Sequence, residues 1–404
     1  MPTRMLFLIL SAGLAMGGQV ASQGKPRARD LGIPFEGAPG SLNAITDVTG
    51  IEVGYATLQR GDGALRTGQG PVRTGVTAIL PRGKANRDPV FAAWFTLNAA
   101  GEMTGTTWLE ERGFLEGPIL ITNTHSVGVV RDAAIDWMLR KGWTFRWITP
   151  VVAETYDGDL SDINGFHVTK EHAFAALDSA KTGSIAEGNV GGGTGMVCHQ
   201  FKGGTGTSSR RVTGGNGAYT VGVLVQCNYG SRPQLRIAGV PVGAEITDLL
   251  PCFVSVSGVP DRPAAERCAD GGGANSAPGD GSIIVVVATD APLLPHQLKR
   301  LAKRASLGIG RMGGTATNGS GDIFVAFSTA NASADTAGIV NVQMLGNAQL
   351  TPLFEAAVQA TEEAITNTLV AAETMTGANG FRVFGLPHAR LQAVMKKYNR
   401  LMPR

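Results

Sequence analysis

The order of apolar and polar positions divides this chain into alternating strands and helices. The plainest stretch is Ile283-Ile284-Val285-Val286-Val287-Ala288, apolar at every position and rich in β-branched residues. Such a run predicts a strand buried on both faces. Comparable runs predict strands over 76–80, 90–97, 118–124, 151–157, 220–226 and 323–327, with shorter ones between 43 and 57. A 3.6-residue spacing of apolar side chains predicts helices over 127–141, 167–181, 292–306, 352–372 and 390–398. In the 292–306 helix the buried face reads Leu294, Leu298, Leu301, Ala302 and Ala305, with Gly308 as its stop. Strands and helices alternate throughout, which argues for a layered α/β sandwich.

Composition changes this picture in three places. The 56 glycines among 404 residues are about twice the usual share and lie between apolar strands, so they predict tight turns and close backbone approaches. Arg4 precedes an apolar run from Met5 to Met16, and Val20-Ala21-Ser22 offers small residues for a cleavage. Residues 1–22 therefore read as a secretory signal peptide, too short to span a bilayer, and the mature chain is expected to be exported and periplasmic with no membrane contact. From Pro251 to Gly281 the composition turns to Pro, Gly, Ser, Asp and charges without period, the best candidate for a flexible linker. A net charge of +3 with no long basic run implies no nucleic-acid partner. In an oxidising compartment Cys252 and Cys268 are expected to pair, whereas Cys198 and Cys227 read as buried free thiols acting as small hydrophobes.

Several familiar sites are missing from the sequence. There is no G-x-S-x-G elbow, no H-E-x-x-H and no phosphate-binding G-x-x-x-x-G-K-[ST], and the six histidines lack metal-ligand spacing. No cofactor is expected. Gly308-Ile309-Gly310-Arg311-Met312-Gly313 matches G-x-G-x-x-G but follows a helix instead of a strand, so it is discarded. What remains is a set of hydroxyls, amides and carboxylates at strand ends. Ser282 begins the most apolar strand, directly behind Gly279-Asp280-Gly281, where a nucleophile exposed by cleavage after Gly281 would stand. The plainer reading of that stretch is an ordinary turn. Ser320 and Asp322, Glu154 and Tyr156, and Asn228 occupy similar positions, and each alone reads equally well as a turn or cap.

Taken together these segments resemble the L-aminopeptidase/D-esterase family, which includes the DmpA aminopeptidases and the β-peptidyl aminopeptidases. The resemblance runs from about Leu42 to Leu391. It is carried by the sequences 279–290, 291–302 and 310–314, by Asn318-Gly319-Ser320-Gly321-Asp322-Ile323, by 122–128, and by Gln226-Cys227-Asn228-Tyr229-Gly230. It implies one αββα four-layer sandwich over 23–404, from a precursor that cuts itself into an α chain (23–281) and a β chain (282–404) that stay together. It implies Ser282 as nucleophile and new N-terminus, Asn228 as oxyanion-hole amide and Tyr156 beside it. Ser320 and Asp322 are the implied supporting pair, and Glu154 the carboxylate receiving the substrate's free amine. Some relatives carry Glu where Asp322 stands, one methylene longer.

The implied activity is an N-terminal-serine aminopeptidase acting on small peptides or amides, including β-amino acid residues, in an assembly of four αβ units. The residues are consistent with that chemistry. Glycine at 281 leaves its carbonyl open to attack, and a freed α-amine with a pKa near ~8 can act as base for its own hydroxyl. Whether that amine or the Ser320–Asp322 pair is the working base stays open at this stage. Two other readings compete: an L-aminopeptidase/D-amino-acid esterase-amidase without β preference, and an acyltransferase like the ornithine acetyltransferases, whose nucleophile is threonine. A non-catalytic exported binding module would leave the chain uncut.

Overall fold

The computed structural model describes residues 25–214, 217–268 and 281–403. The signal-peptide expectation for 1–22 falls outside the described residues, as does most of the expected linker. The two larger sheets among the described residues and their helices stack as four layers. One sheet has four strands in the order Glu52–Arg60, Val72–Leu80, Ile119–Asn123, Val151–Thr155. The other has six, in the order Phe114–Leu115, Val90–Ala99, Gly321–Ser328, Ser282–Thr289, Gly217–Asn228, Gly204–Gly214.

Alternation along Ser282–Thr289 assigns its two faces. Ile284, Val286 and Ala288 enter the core between the sheets, with Ile79, Ile119, Ile121, Val151 and Ala153 opposite. Ile283, Val285 and Val287 face outward to a core roofed by Leu298, Leu301, Ile309, Ala357 and Ala364. A strand covered on both sides has no polar face to spare, which is why its sequence is apolar without interruption. The outer face of the four-stranded sheet packs Val76, Ala78, Leu120 and Val152 against Val130, Ala134, Trp137, Ala173 and Leu177 of the helices Val127–Arg140 and Lys170–Ser179. The order of layers is therefore helix, sheet, sheet, helix.

Three expectations change. The 292–306 helix is two helices, Pro295–Ala302 and Ala305–Arg311. Gly308 does not stop a helix; it sits inside the second one. A Cβ there would lie 2.6 Å from Cβ of Thr361, so glycine lets this helix press onto Thr351–Ala371. Cys198 and Cys227 are not free thiols but a disulfide, since the short strand Val197–Cys198 folds back beside Cys227 at a Cα–Cα distance of 5.7 Å. Within the expected linker, 251–268 is tied down. Cys252–Phe253 pairs with Phe381–Val383, and Cys252 is bonded to Cys268 as anticipated. Among the described residues no helix is long and apolar enough to cross a membrane.

Candidate active site

Ser282 is the first residue of its strand and stands between two others: opposite Asn228 in the antiparallel ladder and opposite Gly321 in the parallel one. The register alone thus gathers residues from three distant stretches. Ser282 is 5% exposed, and its Oγ accepts a hydrogen bond from the Gly321 N–H at 3.3 Å. The same N–H donates to the carbonyl oxygen of Gly281 at 3.0 Å. A Cβ on residue 281 would lie 1.8 Å from the Asn228 carbonyl oxygen, so this position admits only glycine.

The amide of Asn228 is held at both ends. Its Oδ1 accepts from the Val197 N–H at 2.7 Å, and its Nδ2 donates to the Tyr156 carbonyl at 2.9 Å, leaving one N–H free of that bond. The hairpin carrying Val197 is stapled to the Asn228 strand by the Cys198–Cys227 disulfide. Asn228, Ser282, Gly281, Glu154 and Tyr156 all line one cavity of 540 Å³, with Gly101, Glu102, Thr124, Asp159, Val197, Tyr229 and Phe381 among the other walls.

Glu154 lines this cavity and is only 2% exposed. Oε2 accepts from the Thr124 hydroxyl at 2.5 Å and Oε1 from the Glu102 N–H at 2.9 Å. Burial pushes its carboxyl above the usual range, and these two donors pull it part of the way back. A Cβ at Gly101 would lie 3.0 Å from Oε1, so that glycine lets the loop close over the carboxylate. Of the lining residues Glu102, Glu154 and Asp159 are acidic and none is basic. The charged side chains of the lining are therefore all acidic.

Tyr156 stands on the open wall, 46% exposed, its hydroxyl over Gly158 where a Cβ would meet it at 2.2 Å. Burial of the phenol, then the charges of Asp159 and Asp157, push its pKa up. Ser320 and Asp322 lie behind the cavity instead of on its surface. Their strand begins at Gly321, and the Ser320 hydroxyl donates to Asp322 Oδ1 at 2.6 Å, so the shorter acid reaches its partner. Burial raises the Asp322 carboxyl, while the Ser320 hydroxyl and the Ile283 amide lower it.

Sequence reasoning did not single out the Gly321 N–H, the Glu102 N–H or Thr124. The first two are backbone groups, which leave no side-chain signal. Thr124 lies inside the 122–128 segment already noticed, but its role depends on a strand pairing the sequence does not state: Thr122 sits opposite Glu154 in the parallel ladder.

Comparison with known proteins identifies the family and the fold. Residues 43–383 match Peptidase family S58. The β-peptidyl aminopeptidase BapA of Sphingosinicella microcystinivorans is 61% identical over 397 residues, covering 98% of each chain. The solved L-aminopeptidase D-Ala-esterase/amidase of Ochrobactrum anthropi, described as a prototype serine aminopeptidase with a variant of the Ntn hydrolase fold, superposes with a TM-score of 0.83. It is 46% identical and covers 93% of this chain and 100% of its own. A β-aminopeptidase from a Burkholderia species gives a TM-score of 0.78 at 46% identity, covering 94% of this chain and 100% of its own. A family match over residues 43–383, with relatives and solved structures matched over nearly the whole chain, leaves one conclusion: this chain is a hydrolase and belongs to Peptidase family S58.

Proposed function

We propose that this S58 hydrolase is an autoprocessing aminopeptidase that removes N-terminal residues from small peptides and amides, with a preference for β-amino acid residues. One observation carries the mechanism: the Gly321 N–H touches both Ser282 Oγ and the Gly281 carbonyl. In the precursor the Ser282 hydroxyl attacks the Gly281 carbonyl carbon. The Gly321 N–H is placed to bind the oxygen as it gains charge. The C–N bond breaks, the acyl group passes to Oγ, and water hydrolyses the ester. The products are a carboxylate at Gly281 and a free α-amine at Ser282.

That amine lies on the hydroxyl it must activate, and Ser320 with Asp322 lies on the adjacent strand to orient it and take up its charge. The α-amine is thus the base in this account, and the pair its support. Substrate enters with its ammonium on Glu154 and its carbonyl at Ser282 Oγ. The free N–H of Asn228 faces the developing oxyanion, a contribution of roughly 3–4 kcal/mol for one such donor. A buried carboxylate that binds the free amine restricts cleavage to the terminal residue. The β preference is supported by the 61% identity to a β-peptidyl aminopeptidase.

The test is a matched pair of dipeptides, one with a β-amino acid at the N-terminus and one with its α analogue, each also prepared N-acetylated. Faster release from the β substrate, with both acetylated forms inert, supports the reading. Equal rates would leave an aminopeptidase without β preference, and cleavage of acetylated substrates would remove the role given to Glu154. The charge and hydropathy of residues 4–22 further support export to the periplasm. Assembly into four αβ units is read from the family, and sedimentation of the processed protein tests it.

A further inference from the structure

Two buried polar atoms beside this machinery lack a protein partner among the described residues. Tyr229 lines the cavity with its side chain 3% exposed, and its Oη is unpaired. Asp322 is fully buried; Oδ1 accepts from Ser320, but Oδ2 is unpaired. The ladders put the two side chains on one face. Asp322 pairs with Ile283 and Ile283 with Cys227, so those three point the same way, and Tyr229, two residues after Cys227, returns to that side. Ile283, Cys227 and Tyr229 all enter the core beneath the helices. The charge of Asp322 also acts on the Tyr229 phenol, adding to the upward push of burial.

The surroundings leave few other takers for the phenol proton. From the helical side, Gly314 closes on the ring, where a Cβ would lie 2.6 Å from Tyr229 Cε2 and 2.5 Å from Ile309. His199 packs edge-on against Tyr229 at 4.9 Å, and its Nε2 is likewise unpaired. Its Nδ1 lies 3.2 Å from the Ser231 carbonyl and burial pushes its pKa down to about 4, so it stays neutral. A phenol has one proton, and a carboxylate is the stronger acceptor.

We propose that Tyr229 is a positioning residue whose hydroxyl donates to Asp322 Oδ2, directly or through one water, keeping that carboxylate ionised and aimed at Ser320. The proposal rests on the reading of Ser320–Asp322 as support for the Ser282 amine. The experiment compares kcat/KM against pH for wild type, Y229F and a protein carrying 3-fluorotyrosine at position 229, with D322N as reference. Each preparation is first checked for processing by intact mass.

Removing the donor disfavours ionised Asp322, which then supports the protonated Ser282 amine less. The acidic limb set by that amine should therefore move down by about one pH unit in Y229F, with kcat reduced and KM within twofold. The fluorinated phenol is nearly the same shape and a stronger donor, so its limb should move up, a result that can be read even if Y229F folds poorly. Limbs that superimpose on wild type while D322N is inactive would overturn the role of Tyr229 and leave the pair intact. A D322N enzyme with wild-type rate and profile would instead overturn the reading on which the proposal rests.

Discussion

Glu154→Gln tests the contact proposed to make the enzyme an exopeptidase. Glutamine keeps the shape, and it can keep both neighbours: its carbonyl accepts from the Glu102 N–H, and its NH₂ can donate to the Thr124 oxygen. What it loses is the negative charge proposed to meet the substrate ammonium. A hydrogen bond between two charged groups is worth roughly 2–3 kcal/mol, and about 1.4 kcal/mol is tenfold in binding, so kcat/KM for a free-amine substrate should fall about 30- to 150-fold. Most of the loss should appear in KM. The assay pairs that substrate with an ester of the same acyl group lacking the amine; E154Q should hydrolyse this ester within twofold of wild type.

Stability provides a control with the opposite sign. Burial raises the Glu154 pKa in the folded protein, so the fold penalises the ionised form, and stability is lost as pH rises through the carboxylate range. Removing the charge should leave Tm at pH 8 unchanged or raised. The same raised pKa means that wild-type affinity for the ammonium, which needs the ionised acid, fades at a higher pH on acidification than an ordinary carboxylate would allow. An unchanged kcat/KM for the free-amine substrate in E154Q would refute the assignment.

Two further predictions follow from buried groups. Lys202 has no carboxylate partner among the described residues; its Nζ donates to the carbonyls of Met196 and Gly203 at 2.7 and 3.0 Å, and burial pushes it from 10.5 down to about 7. Between those values the unfolded chain binds the extra proton, so wild-type Tm should rise relative to that of K202M as pH goes from 7 to 10, a trend that denaturation curves at several pH values would check. Gly281→Ala places a methyl against the Asn228 carbonyl, so the variant should process at least tenfold more slowly than wild type by gel analysis of freshly made protein.

How much was legible in the sequence depended on what satisfies each element. The Ser282–Thr289 strand announced itself because both of its faces are apolar, and Thr351–Ala371 because its helical period is long. The strand Gly204–Gly214 did not, although it pairs along its length with Gly217–Asn228. Its buried side chains are polar and are satisfied by distant partners: Ser208 Oγ by the Ala360 carbonyl at 2.6 Å, Arg210 by Glu363 at 2.6 Å, and Ser209 Oγ by Asp47 at 2.6 Å. At Gly206 a Cβ would lie 2.1 Å from both the Ala364 carbonyl and Thr368 Oγ1, so glycine here lets the strand press against a helix. The Cys198–Cys227 bond was hidden for a similar reason, since it joins two elements whose adjacency appears only once the sheet is assembled. The candidate site residues were visible as types; the two backbone N–H groups that contact Ser282 and Glu154 were not.

The measurement that bears most directly on the central claim is the intact mass of the purified protein under denaturing conditions, beside that of Ser282→Ala. The account predicts two chains for wild type, the smaller beginning at Ser282 with 404 − 281 = 123 residues, and one uncut chain for the variant. A wild-type protein that stays a single chain, or a variant that is still cut after Gly281, would contradict it.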